Sequence, residues 1–387
     1  MFVYRRENLP KDPVFPADLG GLGYLITDND QIRKISDPTQ EFQYKINRNP
    51  RWNDVQREAM NECIRNIVLA RLRDLGLDHL RLPLFATAGE AHVPVMVSKN
   101  LSTASHIVVV FGEPIQDLGI WAYRSVGCDG INTGSLVSFA KAVLRQGHAD
   151  DGNDMPNTAL VLANTGQLVW HCASGRAITQ THWQHLPRPS AVNPAPEMSH
   201  RNTIPGHESW KQHIDRVFED ILSARGRRVR PDARISVVGV SEGGLGAVQY
   251  LAANWCSWRP FISAICLANP LHLAKFEFRS ANKDMAVSDP SSFAAFIASR
   301  CRGYVLSEHP LGMPVEPMLE HGCNCYASGE ELNSECIMPR AWKHVLGWLN
   351  QAFADQNYAE TKLEIRHIDG DALEVVEEEA SQDEEGS

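Results

Sequence analysis

No five residues constrain this chain more than Gly239-Val240-Ser241-Glu242-Gly243. An apolar run at 235–238 precedes them, and a stretch rich in Ala, Gly and Leu at 245–255 follows. The segment therefore reads as strand, tight turn, helix. In that context G-x-S-x-G is a nucleophile elbow, a turn sharp enough that the positions two before and two after the serine nearly touch. Glycine at both, Gly239 and Gly243, is what such a turn demands. The expected fold class is α/β, an α/β-hydrolase-like mostly parallel sheet with helices on both faces.

The flanking pattern agrees. Apolar residues recur at helical spacing over 53–75, with Asn53 available as the cap. Val93, Val95 and Val97 alternate, and 107–111, 159–163 and 262–268 are continuous apolar runs of the kind buried central strands show. Helical patterns at 134–145, 208–224, 291–298 and 340–354 fall between strand patterns that include 303–306 and 323–327, and this alternation predicts parallel strands. Residues 1–18 form an N-terminal extension, and an Asp28-Asn29-Asp30 turn between short apolar runs predicts a leading hairpin. The hydrolase-like domain occupies 19–366. Five prolines make 182–208 a surface excursion, and 367–387 an acidic disordered tail.

Composition narrows the function classes. The net charge is −10, but residues 369–387 hold nine acids and no Lys or Arg, so the rest is nearly neutral. Nothing in that balance asks for nucleic acid as a direct partner. Arg225, Arg227, Arg228 and Arg230 lack interleaved aromatics and read as a solvated connector. No apolar run approaches the roughly 20 residues that span a bilayer, and no secretory signal opens the chain. Nine cysteines without framework spacing suit a reducing compartment, nuclear or cytoplasmic. Six histidines fall between 171 and 213, but their spacings match no metal-ligand motif and they read as surface residues. No metal and no cofactor is expected.

A serine hydroxyl becomes a nucleophile only when a base takes its proton and donors receive the developing oxyanion. The N–H of Glu242 is one expected donor, and the Gly112-Glu113 loop after strand 107–111 should supply the second. Glu308, just past strand 303–306, is the candidate acid. The base should come from the last loop, 326–339, which contains no histidine. Loss of that residue costs about a millionfold in turnover. His309 and His321 lie upstream as displaced alternatives, and His344 should lie inside the final helix.

Phe15 to Tyr24, Asp30-Gln31-Ile32-Arg33 and Phe42-Gln43-Tyr44-Lys45 resemble the opening of the Arb-two (Argonaute-binding protein two) domain family. The resemblance continues through Val108 to Gly112, Asn164-Thr165-Gly166, the elbow, and Tyr304 to Gly312. It implies a hydrolase-like domain acting in small-RNA-directed or histone-deacetylase-linked silencing, with an Argonaute complex or a histone deacetylase complex as protein partner. It carries over Ser241 as the elbow serine and Glu308 as the acid. Where some relatives place a histidine beside a glutamate in the last loop, this chain has Ser334-Glu335. A non-catalytic interaction module is therefore expected. The alternative is a serine esterase whose base is a displaced histidine.

Overall fold

The computed structural model describes residues 9–145, 157–277, 289–315, 319–361, 363–368 and 372–377. Its contacts divide the chain into two compact units, Met1–Ala233 and Arg234–Ser387.

The first unit opens with a short helix α1 (Leu19–Leu22) and the expected hairpin, β1 (Tyr24–Ile26) against β2 (Ile32–Lys34). Helix α2 (Pro50–Asp74) is capped by Asn49, whose side chain accepts from Arg51 N, with Pro50 in the first turn. The cap is thus four residues earlier than Asn53. Proline is preorganised for a first helical position, where its missing N–H costs nothing. Asn53 instead accepts from the backbone of Ile46 and Asn47. Strands β3 (Leu77–Leu82), β4 (Val93–Ser98) and β5 (His106–Phe111) follow, then α3 (Tyr123–Cys128), α4 (Val137–Arg145) and β6 (Thr158–Leu162). β5 and β6 run parallel and are buried along their whole length; β4 is antiparallel to both β6 and β3.

The segment 182–208 is not a simple surface excursion. A hairpin of β7 (Val169–His171) and β8 (Arg176–Ile178) leads into α5 (Gln180–His185). His182, Trp183, Leu186, Ile204 and His207 are buried. The reason lies on α2, where Arg51, Glu58, Glu62 and Arg65 follow at spacings of seven, four and three along one face. Those charges need partners, and this segment supplies several. Glu58 Oε1 lies 2.6 Å from His182 Nδ1, Arg176 grips Glu62 through two bonds of 2.6 and 2.7 Å, and Arg51 donates to Leu186 O. Asp12 and Asp117 complete the set, against Arg51 at 2.8 Å and Arg65 at 3.0 Å. The unit ends with α6 (Trp210–Arg216) and a π-helical turn, Val217–Leu222. In the connector Arg225 is half-buried and donates to the carbonyls of Pro231 and Ala233 rather than to water alone.

The second unit begins with the elbow strand β9 (Arg234–Val240) and helix α7 (Glu242–Trp258), followed by β10 (Ile262–Ala268), α8 (Ala274–Glu277), α9 (Phe293–Arg300) and β11 (Cys301–Val305). β12 (Asn324–Ala327) and α10 (Ile337–Ala354) close the core. β9, β10, β11 and β12 are parallel neighbours in that order. Every residue of β10 is buried, which requires cover on both faces; α7, α9 and α10 pack on these strands. The fold class is the expected one, an α/β-hydrolase-like, mostly parallel arrangement.

The segment after α10 is pinned by Glu360, which takes Arg302 Nε at 2.7 Å, Tyr326 Oη at 2.7 Å and Trp348 Nε1 at 2.9 Å. Beyond it, β13 (Leu363–Ile368) pairs antiparallel with β14 (Ala372–Glu377). These two short strands fall partly within the span expected as the acidic tail, of which residues 369–371 lie outside the described residues. The remainder of the acidic tail, 378–387, lies outside the described residues.

Candidate functional site

The elbow has the geometry its sequence demands. Ser241 sits between β9 and α7 with φ 47° and ψ −118°, a backbone state that costs a non-glycine residue on the order of 1–3 kcal/mol. Ser241 N donates to Ala268 O at 2.9 Å, tying the turn to the end of β10. The close approach is made by a different glycine from the one expected. A Cβ on Gly239 would lie 2.9 Å from Gly244 N, and one on Gly244 would lie 3.2 Å from Gly239 C. Gly244, rather than Gly243, is the residue facing Gly239. Ser241 itself is buried.

One neighbour of Ser241 within its unit is an amide. Asn269 Nδ2 donates to Ser241 Oγ at 3.1 Å, and Asn269 is itself held at φ 52° directly after β10. An amide has no basic nitrogen, so it orients the hydroxyl without being able to take its proton. Asn269 escaped the sequence reading, although Asn269-Pro270 after an apolar strand is a turn signal at the end of the strand beside the elbow.

The displaced bases are now located. His321 is buried and exchanges hydrogen bonds with His272: His321 Nδ1 lies 2.7 Å from His272 O, and His272 Nε2 lies 2.7 Å from His321 O. Each carbonyl accepts, so each of those ring nitrogens carries its proton. Burial pushes His272 down to about 4, which keeps it neutral. Glu308 and His309 lie on the exposed loop after β11, where His309 N donates to Ser307 Oγ. Neither is hydrogen-bonded to Ser241. In the last loop Glu330 folds its carboxylate onto the backbone of Leu332 and Asn333. His344 is inside α10 as expected, 2.9 Å from Tyr304 Oη.

In the first unit, Gly112 follows β5 and its carbonyl accepts from Thr165 Oγ1 at 2.7 Å. Glu113 is buried and its carbonyl closes a turn to Gln116 N. Gly112, Glu113, Asn164 and Thr165 line a cavity of about 20 Å³, room for one water. Behind them, Asn164 N donates to His213 Nε2 at 3.1 Å, and His213 Nδ1 lies 3.0 Å from His207 Nδ1. The histidines read as surface residues include His182, His207 and His213, all buried, because each meets a specific polar partner. Spacing alone could not reveal partners so distant in sequence. The tightest carboxylate–imidazole pair recorded, Glu58–His182, is also here. Burial alone would raise Glu58, but the hydrogen bond and charge of His182 bring it below the usual carboxylate range.

Residues 15–311 match the profile of the Arb2 domain. The chain belongs to the Arb2 domain family. Curated relatives agree: it is 31% identical over 140 residues to a cotranscriptional regulator ARB2A homolog of Xenopus tropicalis. That match covers 35% of this chain and 33% of the frog protein. A homolog from Gallus gallus is 27% identical over 371 residues, covering 89% of this chain and 82% of the chicken protein. For the frog protein and the human regulator, the matched part is about a third of the relative's length. Among solved structures, a histone deacetylase from Saccharomyces cerevisiae aligns with TM-score 0.42 at 11% identity, covering 76% of this chain and 97% of that one. A bacterial heroin esterase aligns with TM-score 0.31 at 12% identity, over 74% and 89%. Among the described residues no helix is long and apolar enough to cross a membrane.

Proposed function

We propose that this Arb2-family chain is a non-catalytic interaction module that keeps a hydrolase elbow as scaffold and works in cotranscriptional, chromatin-linked regulation in the nucleus. The observation that carries the reading is the last loop, 326–339, which contains no histidine where a hydrolase of this fold needs its base; Asn269 Nδ2 donates to Ser241 Oγ. The regulator names of the relatives support the setting. Within it, an Argonaute complex or a histone deacetylase complex is the proposed protein partner, and direct nucleic-acid contact is not part of the proposal.

Labelling with a fluorophosphonate probe, with Ser241→Ala as the control, tests this reading. The expected outcome is no Ser241-dependent label. Labelling that disappears in Ser241→Ala would overturn it in favour of a serine esterase. Glu242, Gly112 and Glu113 would then be its oxyanion donors, Glu308 its acid, and His321 or His309 the displaced base. Affinity purification of the full chain tests the partner class, and recovery of neither an Argonaute nor a deacetylase subunit counts against it.

A further inference from the structure

Two loops leave the C-terminal ends of β11 and β12, residues 306–315 and 328–336. These are the loops from which the sequence reading sought an acid and a base. They are packed on one another: Ser307 N donates to Glu330 O at 3.0 Å and Gly312 N to Ala327 O at 2.9 Å. At Gly329, where φ is 72°, a Cβ would lie 3.2 Å from Leu311 Cβ. Residues 313 and 315 continue as a short antiparallel cover on β12, through Ala327 N to Met313 O and Val315 N to Cys325 O.

What this loop pair turns outward is apolar. Leu306, Leu311, Met313 and Leu332 are 36%, 40%, 45% and 81% exposed. Single exposed apolar residues need no explanation, but several on one packed pair of loops mark an interaction surface. The charge around them has one sign. The two loops hold Glu308, Glu330, Glu331 and Glu335 and no Lys or Arg. Glu330 is engaged with backbone and lies 3.9 Å from Arg340. Glu308 and Glu331 are exposed, and no ion pair to either is recorded among the described residues. His309 is exposed beside Glu308, and Arg340, about half exposed, is the basic residue nearest the rim on α10.

We propose that this surface is a docking site for a segment of a partner protein that carries apolar anchors flanked by Lys or Arg. Apolar side chains fill the centre, and the carboxylates at the rim select the flanking charge. A second copy is a poor occupant, because a two-fold contact through the same patch sets carboxylates against carboxylates. The site rests on the interaction-module reading above, since it uses as a surface the loops that hydrolysis would need as a relay.

The test is fluorescence anisotropy of a labelled helical Leu–Lys peptide, and of its Leu–Glu counterpart, on the full chain at low and physiological ionic strength. The Leu–Lys peptide is expected to bind and the Leu–Glu peptide not. Leu332→Asp, and separately the pair Glu308→Lys and Glu331→Lys, should each weaken binding roughly tenfold. The same charge change in the acidic tail, Glu384→Lys with Glu385→Lys, should leave it within about twofold. Circular dichroism confirms folding; Leu332 is exposed enough for its variant to fold.

Four results overturn the proposal: no binding of the Leu–Lys peptide; equal weakening by the tail variant, which means diffuse charge attraction; equal binding of the Leu–Glu peptide; or self-association of the chain that Leu332→Asp abolishes. Fluorophosphonate labelling of Ser241 is read separately. A labelled chain that still discriminates the peptides keeps the site and loses the non-catalytic reading. An unlabelled chain that fails to bind keeps the reading and loses the site.

Discussion

The elbow of the second unit and the α2 face of the first hold complementary fragments of one chemical device. At the elbow a strained serine is presented at the head of a helix, and the partner recorded for its hydroxyl is a neutral amide, Asn269. On α2 a carboxylate and an imidazole, Glu58 and His182, meet at 2.6 Å, but the other recorded bond of His182 runs from its backbone N–H to Thr179 Oγ1. One region has a strained serine held by an amide; the other has an acid–imidazole pair that serves to bury charge. Neither possession of an elbow nor of such a pair makes an enzyme, because the rate comes from their being hydrogen-bonded in series.

The two regions are also stabilised differently, and this can be broken experimentally. The elbow depends on backbone proximity. Gly239→Val places carbon inside the space of the Gly244 backbone, which has no flexible end to yield, and within 3.3 Å of Leu267 Cδ2. The expected loss is about 4 kcal/mol or more, in the class of exceptional single-residue effects. Urea unfolding followed by circular dichroism measures it, and a loss under about 1 kcal/mol would mean that the turn relaxes and the fold does not depend on it.

The α2 face depends on pairing. Arg65→Ala leaves the buried Asp117 carboxylate without the guanidinium that neutralises it, while Tyr123 Oη still donates at 2.6 Å. Breaking a buried pair in this way costs roughly 3–5 kcal/mol. Arg65→Ala made together with Asp117→Leu should recover a large part of that loss, since the isolated charge, not the missing attraction, is what destabilises. If the double variant is no more stable than the single one, the α2 charges act through packing instead.

How far these features were legible follows from what each depends on. The elbow could be read because strand, turn and helix are local, and its glycines are required by a clash within six residues of chain. The α2 charges looked like a solvated helix face because their partners come from Asp12, Asp117, Arg176 and His182, up to 124 residues away. The same distance hid the burial of His182 and His207 in a segment that its prolines marked as surface. At the site, the missing histidine was visible because an absence from one loop can be read directly. Asn269 was not, since nothing in an Asn-Pro turn says that its amide will reach a serine 28 residues earlier.

The smallest expected effect concerns a third way of holding a turn, by neutral imidazoles. Asn164 N donates to His213 Nε2, so the proton of His213 is on Nδ1 and is given to His207 Nδ1, which places the proton of His207 on Nε2. Burial, and then the Arg216 charge, lower His207 to about 4; burial, and then His207, hold His213 well below the ordinary histidine value. Adding a proton to either ring sets two N–H groups against each other or against Asn164. The unfolded chain takes up these protons near pH 6.5 and the folded chain does not. Stability is therefore fully present above 6.5 and falls as pH drops toward 4, by at most about 1.4 kcal/mol per pH unit for each histidine. Carboxylates held below their usual range, such as Glu58 and Glu360, lose their contribution at lower pH, so the window from about 4.5 to 6.5 isolates the imidazoles. His272, also near 4, adds the same slope to every variant and cancels. His207→Phe should reduce the slope of unfolding free energy against pH in that window by about one proton, whatever it does to stability at pH 7. An unchanged slope would show that His207 is already protonated in the folded chain, and the Asn164 turn would then rest on charge, as α2 does.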